Sequence, residues 1–483
     1  MSFYKNVVWT LGGTIGIQII GIITNIILAR LITPEVFGLV GMVSVFIGLM
    51  NIVQEAGISS VIIQKEKVSN NLYITTFYLN FILSGFLILF VFALTVWIPN
   101  ISQNISMVKI LHYSIIGIFG GSISITQRAI LTREKRFKEL AKIEMKTEIL
   151  SGLGSIVLAL MREPLLAVGF RLMFRPALQT CFTMYLKRIN FFNSKPNFAL
   201  TKDIVPFSSN VLGVRILNFI RNNVDYLLIG ILLGSYKLGI YTMAFQWSTV
   251  ARYYISQSVA KVVFPEISRF QNDIGKVREV YLNVLKKISF ITFPITIGLA
   301  IIAPEFVNIV YGAKWNESIQ VLQILMIAGM ITSIGTLVGS VFSGLGKPQI
   351  EFYINIFSLA SFIVLIYLGS NNGIIGISYA VLLNTIIFNL ISTSRVMKLL
   401  EITLKSFLDS ITPAIYSMFS MTLILTIYRY NISYSLNNCE NFVIMILLGI
   451  ITYSGASFVF NKSVVFWVLG KLNISIYRKK GGI

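Results

Sequence analysis

The sequence predicts an all-α polytopic membrane protein with about fourteen transmembrane helices. Of its residues, 55% are hydrophobic and 12% are charged, whereas a soluble domain carries roughly 25% charged residues. Apolar stretches of about 20 residues, the length that crosses a bilayer as a helix, recur along the whole chain. The net charge of +21 does not indicate a nucleic-acid binder, because Lys and Arg lie between apolar stretches rather than on one soluble face.

The apolar stretches fall into two sets of six and a final pair. The first set is predicted near Val7–Leu28, Phe37–Gly57, Leu72–Ile98, Met107–Ile130, Leu140–Met161 and Leu165–Leu186. The second set is predicted near Ile204–Leu232, Leu238–Val263, Val280–Ile302, Ile319–Phe342, Phe352–Leu368 and Ile374–Met397. The final pair is predicted near Phe407–Ile427 and Phe442–Phe460. We therefore expect a six-helix bundle over 1–186, a cytoplasmic linker over 187–203, a second bundle over 204–398, two extra helices over 399–462 and a basic cytoplasmic tail over 463–483.

Positive charge alternates between the predicted loops. The intervals on one side are rich in Lys and Arg, most of all Arg128 to Lys146 and Lys187 to Lys202. The intervals on the other side hold only Arg30, Lys109, Arg162, Lys237, Lys314 and Arg429. Because Lys and Arg concentrate in cytoplasmic loops, this alternation predicts an even number of crossings with both termini in the cytoplasm.

A short internal repeat relates the two sets of helices. The segment Leu31–Val40 resembles Leu232–Tyr241, and their alignment pairs Gly38 with Gly239. Two copies in the same membrane orientation imply parallel repeats related by a pseudo-twofold axis along the membrane normal, an arrangement that suits alternating access. A chance match is the competing explanation for a repeat of this length.

The seventh predicted helix carries a polar stripe. Its members recur at spacings of three and four residues and therefore share one helical face: Arg215, Asn218, Arg221, Asn222 and Asp225. A charged side chain at bilayer depth costs at least about 2.5 kcal/mol, so such residues face a protein interior or a wet cavity. The stripe predicts a hydrated path through a helical bundle.

Five segments spaced along the chain form a recognisable set: Leu28–Gly41, Gln54–Gln64, Gln127–Lys138, Asn222–Gly230 and Gly344–Pro348. The first two resemble the amino-terminal signature of bacterial polysaccharide flippases of the O-antigen and teichuronic-acid type. The third resembles the basic loop after their fourth helix, and the last two resemble their seventh helix and the turn after their tenth. These flippases belong to the multidrug/oligosaccharidyl-lipid/polysaccharide (MOP) exporter superfamily.

The resemblance implies a fold like that of multidrug and toxic compound extrusion (MATE) transporters, with two six-helix bundles around a central cavity. It implies that the chain flips an undecaprenyl-diphosphate-linked oligosaccharide from the cytoplasmic to the periplasmic leaflet of the bacterial inner membrane. The expected partners are this lipid-linked oligosaccharide, membrane lipids, a glycan polymerase or assembly complex, and a coupling proton or sodium ion. No cofactor is expected, and the identity of the glycan does not follow.

An anionic diphosphate requires cations at membrane depth, and arginine offers planar donors that match phosphate oxygens bidentately. The substrate-binding candidates are Arg171, Arg175, Arg215, Arg221 and Arg252, with Asn218, Asn222, Gln18 and Asn25 as polar neighbours. Each arginine also has a structural interpretation, in which it pairs with a carboxylate and holds helices together. For Gln18 and Asn25, the alternative to substrate binding is a role in helix packing through polar side chains.

Asp225 and Glu55 are the candidates for ion coupling. A buried carboxyl group can bind a proton or a sodium ion near neutral pH. The competing interpretation is a fixed ion pair, of Glu55 with Arg252 or of Asp225 with Arg221. A metal site is not expected, because the sole histidine, His112, has no second metal-type ligand one helical turn further on.

Other functions compete with a polysaccharide flippase. A multidrug or cation antiporter would favour acidic, aromatic-lined pockets, whereas arginines outnumber acids at membrane depth in this chain. A peptidoglycan-precursor flippase shares the features above. A membrane glycosyltransferase or polymerase needs acidic residues in an outward loop, and the longest such loop, near Tyr428 to Asn441, carries only Glu440. We therefore expect a transporter and not an enzyme.

Overall fold

The computed structural model describes residues 3–55, 61–63, 69–97, 104–187, 196–197, 201–431 and 437–470. Side chains in these ranges are described except at 3–8, 10–11, 70, 201–211, 214, 251–258 and 260–262. Most of the predicted linker at 187–203 and most of the predicted tail at 463–483 lie outside the described residues.

Every regular element in the described ranges is helical. The first helices are α1 (Phe3–Leu31), α2 (Pro34–Glu55), α3 (Asn70–Trp97), α4 (Ile105–Arg133), α5 (Phe137–Leu160), α6 (Pro164–Leu186), α7 (Thr201–Arg269) and α8 (Ile274–Ile301). They are followed by α9 (Ala303–Val310), α10 (Ser318–Ile334), α11 (Val338–Gly344), α12 (Pro348–Gly369), α13 (Gly373–Leu399), α14 (Leu404–Asn431) and α15 (Asn438–Phe460).

Helix α7 is too long for a single crossing. Its 69 residues would extend about 100 Å as one straight helix, against a hydrocarbon core of about 30 Å. The helix breaks at Gly234, where φ is 80° and ψ is 174°. A residue with a side chain rarely adopts this positive φ, so glycine permits the break that separates two spans.

Ten stretches of the described residues are long and apolar enough to cross a membrane, judged by length and composition. Two of them, Arg215–Val250 and Pro348–Leu399, each contain a helix break, at Gly234 and at 370–373. Helices α5 and α6 are not among the ten, and both carry charged residues in their middle turns. The all-α polytopic class is confirmed, and about fourteen crossings are consistent with this layout.

The chain forms two compact units, Met1–Gly239 and Ile240–Ile483. In the first unit, α3 packs on α4, α4 on α6, and α5 on both α6 and α1. Helix α2 packs on α3 and α4 around a core that includes Val43, Val91 and Ile110. Because lipid tails are as apolar as this core, close packing rather than expulsion of water holds such helices together.

The second unit repeats the packing order of the first. Helix α8 packs on α10, α10 on α13, and α12 on α13. Helices α8, α10, α12 and α13 therefore take the positions of α3, α4, α5 and α6. Helices α14 and α15 pack on each other, and α14 packs on α8, outside this repeated pattern.

Gly38 and Gly239, which the sequence repeat aligns, lie at a close crossing of α2 with α7 in the first unit. A Cβ atom added to Gly38 would lie 1.6 Å from the carbonyl oxygen of Ser235, and one added to Gly239 would lie 1.8 Å from that of Pro34. The two contacts are equivalent under the repeat, because Pro34 precedes Gly38 by the same number of residues as Ser235 precedes Gly239. The crossing has the local twofold symmetry that the repeat predicts.

Alanine at Gly38 should destabilise the protein, because its methyl group would force two backbones apart. We expect the free energy of unfolding to fall by about 2–3 kcal/mol, as for overpacked cores, measured as a lower melting temperature in detergent. Gly85→Ala is the matched control, since nothing lies within 4 Å of a Cβ at that position. Equal melting temperatures for the two variants would contradict the close crossing.

Candidate functional site

A buried carboxylate lies against two arginines in the first unit. The side chain of Glu148 on α5 is 1% exposed, and Arg171 and Arg175 of α6 both contact it. Arg171 donates from Nη2 to Oε1 of Glu148, and Nε of Arg175 lies 3.1 Å from Oε2. Arg171 also donates from Nη1 to Oδ1 of Asn25 on α1, at 2.7 Å. We call these four residues the arginine network, and it joins α1, α5 and α6.

Helical spacing brings the arginine network together at mid-span. Arg171 and Arg175 are one turn apart and therefore share a face of α6. Glu148 lies in the middle of the 24 residues of α5, and Arg175 lies in the middle of the 23 residues of α6. On α1, Gly21 lies one turn before Asn25, and a Cβ there would be 3.4 Å from Oε1 of Glu148. The carboxylate is thus enclosed by three helices.

The arginine network carries one excess positive charge, because two guanidinium groups face one carboxylate. The side chains of Arg171 and Arg175 are 22% and 38% exposed, against 1% for Glu148. Within the described part of the chain, Arg175 contacts Glu148 through Nε, which leaves its two Nη groups as donors. This guanidinium can offer a planar fork of N–H groups to an anion.

A second ion pair lies one turn away along α5. Nη2 of Arg128 on α4 donates to Oε1 of Glu144 at 3.1 Å, and both side chains are about one-third exposed. Glu144 precedes Glu148 by four residues and therefore shares its face of α5. The arginine network therefore continues as alternating charges towards the end of the bundle that holds the turn between α4 and α5.

The first residue of the predicted polar stripe on α7 forms an ion pair with α2. Nη1 of Arg215 donates to Oε2 of Glu55 at 2.7 Å, and the two side chains are 39% and 42% exposed. The sequence predicted a fixed pair between Glu55 and Arg252 as one possibility. The side chain of Arg252 lies outside the described residues, so its partner stays a prediction.

The rest of the stripe crosses from an exposed to a buried environment. Asn218 and Asn222 are exposed, Arg221 is half-buried, and Asp225 is buried with 3% of its side chain exposed. The residues share a helical face, as the spacing predicted, but they do not share one degree of solvent access.

The two remaining candidates on α1 lie in different environments. Asn25 joins the arginine network, whereas Gln18, two turns earlier, is exposed. In the described part of the chain, no group of three or more His, Cys, Asp or Glu residues could hold a metal ion.

Sequence reasoning missed Glu148, the residue at the centre of the arginine network. The signal that could have found it is a matched spacing: Glu144 and Glu148 are four residues apart on α5, as Arg171 and Arg175 are on α6. Two acids and two bases at the same spacing on consecutive helices indicate paired faces. The basic residues around Glu144 were instead interpreted as part of a cytoplasmic loop.

Comparisons with known proteins agree with the resemblance found in the sequence. The family model described as "Polysaccharide biosynthesis protein" matches residues 27–320. The chain is 28% identical over 392 residues to "Lipopolysaccharide biosynthesis protein WzxC" of Escherichia coli (strain K12), an alignment that covers 80% of this chain and 78% of WzxC.

Solved transporter structures share the fold. "Lipid II flippase MurJ, inward closed conformation" aligns with a TM-score of 0.76 and 16% identity, over 95% of this chain and 100% of that chain. An inward-facing MATE family transporter of the MOP superfamily aligns with a TM-score of 0.61 and 16% identity, over 79% of this chain and 95% of that chain. The chain therefore belongs to the polysaccharide biosynthesis protein family and has the fold of the MOP exporter superfamily.

Proposed function

We propose that this chain is a flippase that moves an undecaprenyl-diphosphate-linked oligosaccharide, the repeat unit of a polysaccharide, from the cytoplasmic to the periplasmic leaflet of the bacterial inner membrane. Membership of a polysaccharide biosynthesis family supports the class of product. The similarity to WzxC, named for lipopolysaccharide biosynthesis, supports the same class. The fold shared with a lipid II flippase supports transport of a lipid-linked substrate.

The arginine network is the observation that carries the proposal. The diphosphate between lipid and sugar is anionic, and its carrier has to keep cations at a depth where their desolvation is costly. Glu148 offsets that cost for Arg171 and Arg175, while partial exposure leaves Arg175 able to hold phosphate oxygens bidentately. We assign the phosphate contact to Arg175 and a positioning role to Arg171, whose donors engage Asn25 and Glu148.

The stripe on α7 is proposed as a further polar wall for the substrate. The exposed amides of Asn218 and Asn222 suit a hydrated ligand, because each offers both donors and an acceptor. Asp225, which is buried, and Glu55, which pairs with Arg215, are the candidates for binding a coupling proton or sodium ion.

The proposed cycle is alternating access by two bundles, at 1–186 and 204–398, joined by the linker at 187–203. The repeated packing order of the helices supports two equivalent bundles. The alternation of Lys and Arg along the chain supports cytoplasmic termini. Delivery to a glycan polymerase or assembly complex, and coupling to an ion gradient or to the membrane potential, complete the proposal.

A cation antiporter of the same fold is the main alternative, because MATE transporters share this architecture. A cationic drug would meet the excess positive charge of the arginine network, and like charges in a poorly hydrated site repel by several kcal/mol. The network therefore favours an anionic substrate.

The direct test is leaflet exchange in liposomes. The protein is reconstituted with an undecaprenyl-diphosphate-linked oligosaccharide, and the access of an external glycosidase to the sugar is followed with and without proton or sodium gradients. Exchange that depends on the protein is expected. Folded protein that exchanges none of this carrier would contradict the proposed function.

Replacing Arg175 by alanine should reduce exchange at least about tenfold, because a hydrogen bond to a charged group contributes about 1.5–3 kcal/mol. Arg175→Lys should retain part of the activity, since an ammonium group still binds phosphate as a point charge. Arg395→Ala, which removes an exposed arginine from the end of α13, is the control and should exchange normally. Full exchange by a well-expressed Arg175→Ala protein would leave Arg175 only a structural role.

Glu148 and Arg171 should be energetically coupled. Glu148→Gln removes the counter-charge of two arginines and should lower the free energy of unfolding by about 3 kcal/mol. On that background, Arg171→Gln should cost little more, because the pair is already broken. A double-mutant cycle from thermal unfolding in detergent should give a coupling of about 1–3 kcal/mol. Additive effects would show that the two side chains do not depend on each other.

Chemical labelling of the native cysteines tests the orientation of the chain in the membrane. Cys181 and Cys439 are both exposed, the first near the end of α6 and the second in the first turn of α15. With cytoplasmic termini, the start of α15 faces the periplasm. A membrane-impermeant maleimide should therefore label intact spheroplasts, and Cys439→Ser should abolish this labelling. Labelling of Cys439 only after permeabilisation would reverse the orientation.

A further inference from the structure

Helices α12 and α13 take the same packing position in the second unit that α5 and α6 take in the first. Where α5 and α6 carry the charges of the arginine network, the stretch between Glu351 and Arg395 contains no Asp, Glu, Lys or Arg. Its polar side chains are serines, threonines, asparagines and tyrosines, all neutral at physiological pH. A polar site here would therefore suit a neutral ligand.

Three of these side chains form a cluster across the two helices. Oγ of Ser361 on α12 shares its proton between Oδ1 of Asn384 on α13, at 2.8 Å, and the carbonyl oxygen of Ser358, at 3.0 Å. Nδ2 of Asn384 donates to Oγ of Ser358 at 3.3 Å. All three residues are half-buried. Ser358 lies in the middle of the 22 residues of α12, and Asn384 lies in the middle turns of the 27 residues of α13. We call these residues the neutral cluster.

Within the neutral cluster, Ser358 lies away from the exposed side of α12, whereas Ser361 borders it, one turn from Phe357 and from Val364. That side is apolar and exposed, with 70% exposure at Tyr353, 54% at Phe357, 57% at Val364 and 67% at Tyr367. Amides and hydroxyls at membrane depth are costly to leave in hydrocarbon. The partly exposed polar groups of the neutral cluster are therefore better satisfied by a polar ligand or water than by hydrocarbon.

The neutral cluster retains hydrogen-bonding capacity for a ligand. Asn384 keeps one N–H donor and one acceptor lone pair beyond the bonds above, and Ser358 keeps its hydroxyl proton. The proton of Ser361 is already used, as is that of the adjacent Thr385, whose Oγ1 donates to the carbonyl oxygen of Val381 in its own helix at 2.8 Å. Such back-bonding is the usual use of a hydroxyl inside a membrane helix.

We propose that the neutral cluster is a subsite for the uncharged sugar part of the substrate. Sugar hydroxyl and acetamido groups combine donors and acceptors without charge, as Ser358, Ser361 and Asn384 do. The inference rests on the proposed function, in which Arg175 holds the diphosphate. The neutral cluster then distinguishes a carrier that bears a glycan from a bare one, because a site that hydrogen-bonds a ligand group discriminates against an analogue that lacks it.

The test compares two ligands by competition binding to the purified full-length protein. The probes are undecaprenyl diphosphate and undecaprenyl diphosphate bearing a neutral N-acetylglucosamine disaccharide. The unsubstituted protein should prefer the glycosylated carrier, and Asn384→Leu should reduce this preference about five- to thirtyfold, the effect of one or two lost hydrogen bonds. Ser358→Ala should act in the same direction with a smaller effect. Thr385→Val, a neighbouring change of similar size, should leave the preference intact.

The outcomes separate the subsite from the proposed function. If Arg175→Ala weakens both carriers equally while Asn384→Leu weakens only the glycosylated one, the subsite is supported. Equal weakening of both carriers by Asn384→Leu, or an unchanged preference in both Asn384→Leu and Ser358→Ala, overturns it. A changed dependence of binding on sodium with the preference intact makes the neutral cluster a cation site and also overturns it. Failure of the unsubstituted protein to bind either carrier overturns the proposed function and the subsite together.

Discussion

The first unit depends on one buried carboxylate. An arginine at mid-span is costly, and two arginines one turn apart would also repel each other. Glu148 offsets both the cost of the buried charges and their repulsion, because it lies between Arg171 and Arg175. Its side chain is almost inaccessible, while the guanidinium groups stay partly exposed. Since Arg171 also reaches Asn25, the same carboxylate fixes α1 and α6 against α5. The network is thus enclosed at its carboxylate end, while its guanidinium groups stay partly exposed.

Much of the fold follows from the sequence, because the bilayer imposes long apolar helices and alternating positive loops. The sixth helix was predicted at Leu165–Leu186 and found at Pro164–Leu186. A helix begins before its apolar run where its first turn is polar. The last helix was predicted from Phe442 but begins at Asn438, where the backbone N–H of Asn437 donates to the carboxylate of Glu440 at 3.4 Å. The short repeat aligned Gly38 with Gly239, and the structure adds that both lie at one close crossing, where the approach of two backbones restricts which residue fits.

The candidate site was less predictable, since spacing assigns residues to faces of their own helix but does not give the rotation of that helix against its neighbours. Arg171 and Arg175 were identified as one face, yet their partner on α5 was not. Glu55 was a candidate for ion coupling or for a fixed pair with Arg252, and in the structure it pairs with Arg215, 160 residues away in the chain. Choosing between such partners requires the packing of helices, which charge and periodicity alone do not encode. Whether these residues bind substrate stays a prediction.

The charge balance of the arginine network has an electrical consequence. When empty, the network carries one net positive charge, and a dianionic diphosphate diester would change this to one net negative charge. Moving one elementary charge through a membrane potential of 100 mV changes the free energy by about 2.3 kcal/mol. In a cell whose interior is negative, the field would then favour outward movement of the loaded network and inward return of the empty one. Under the proposed function, a loaded network without Glu148 would be neutral, so this buried carboxylate would determine whether the loaded step responds to voltage.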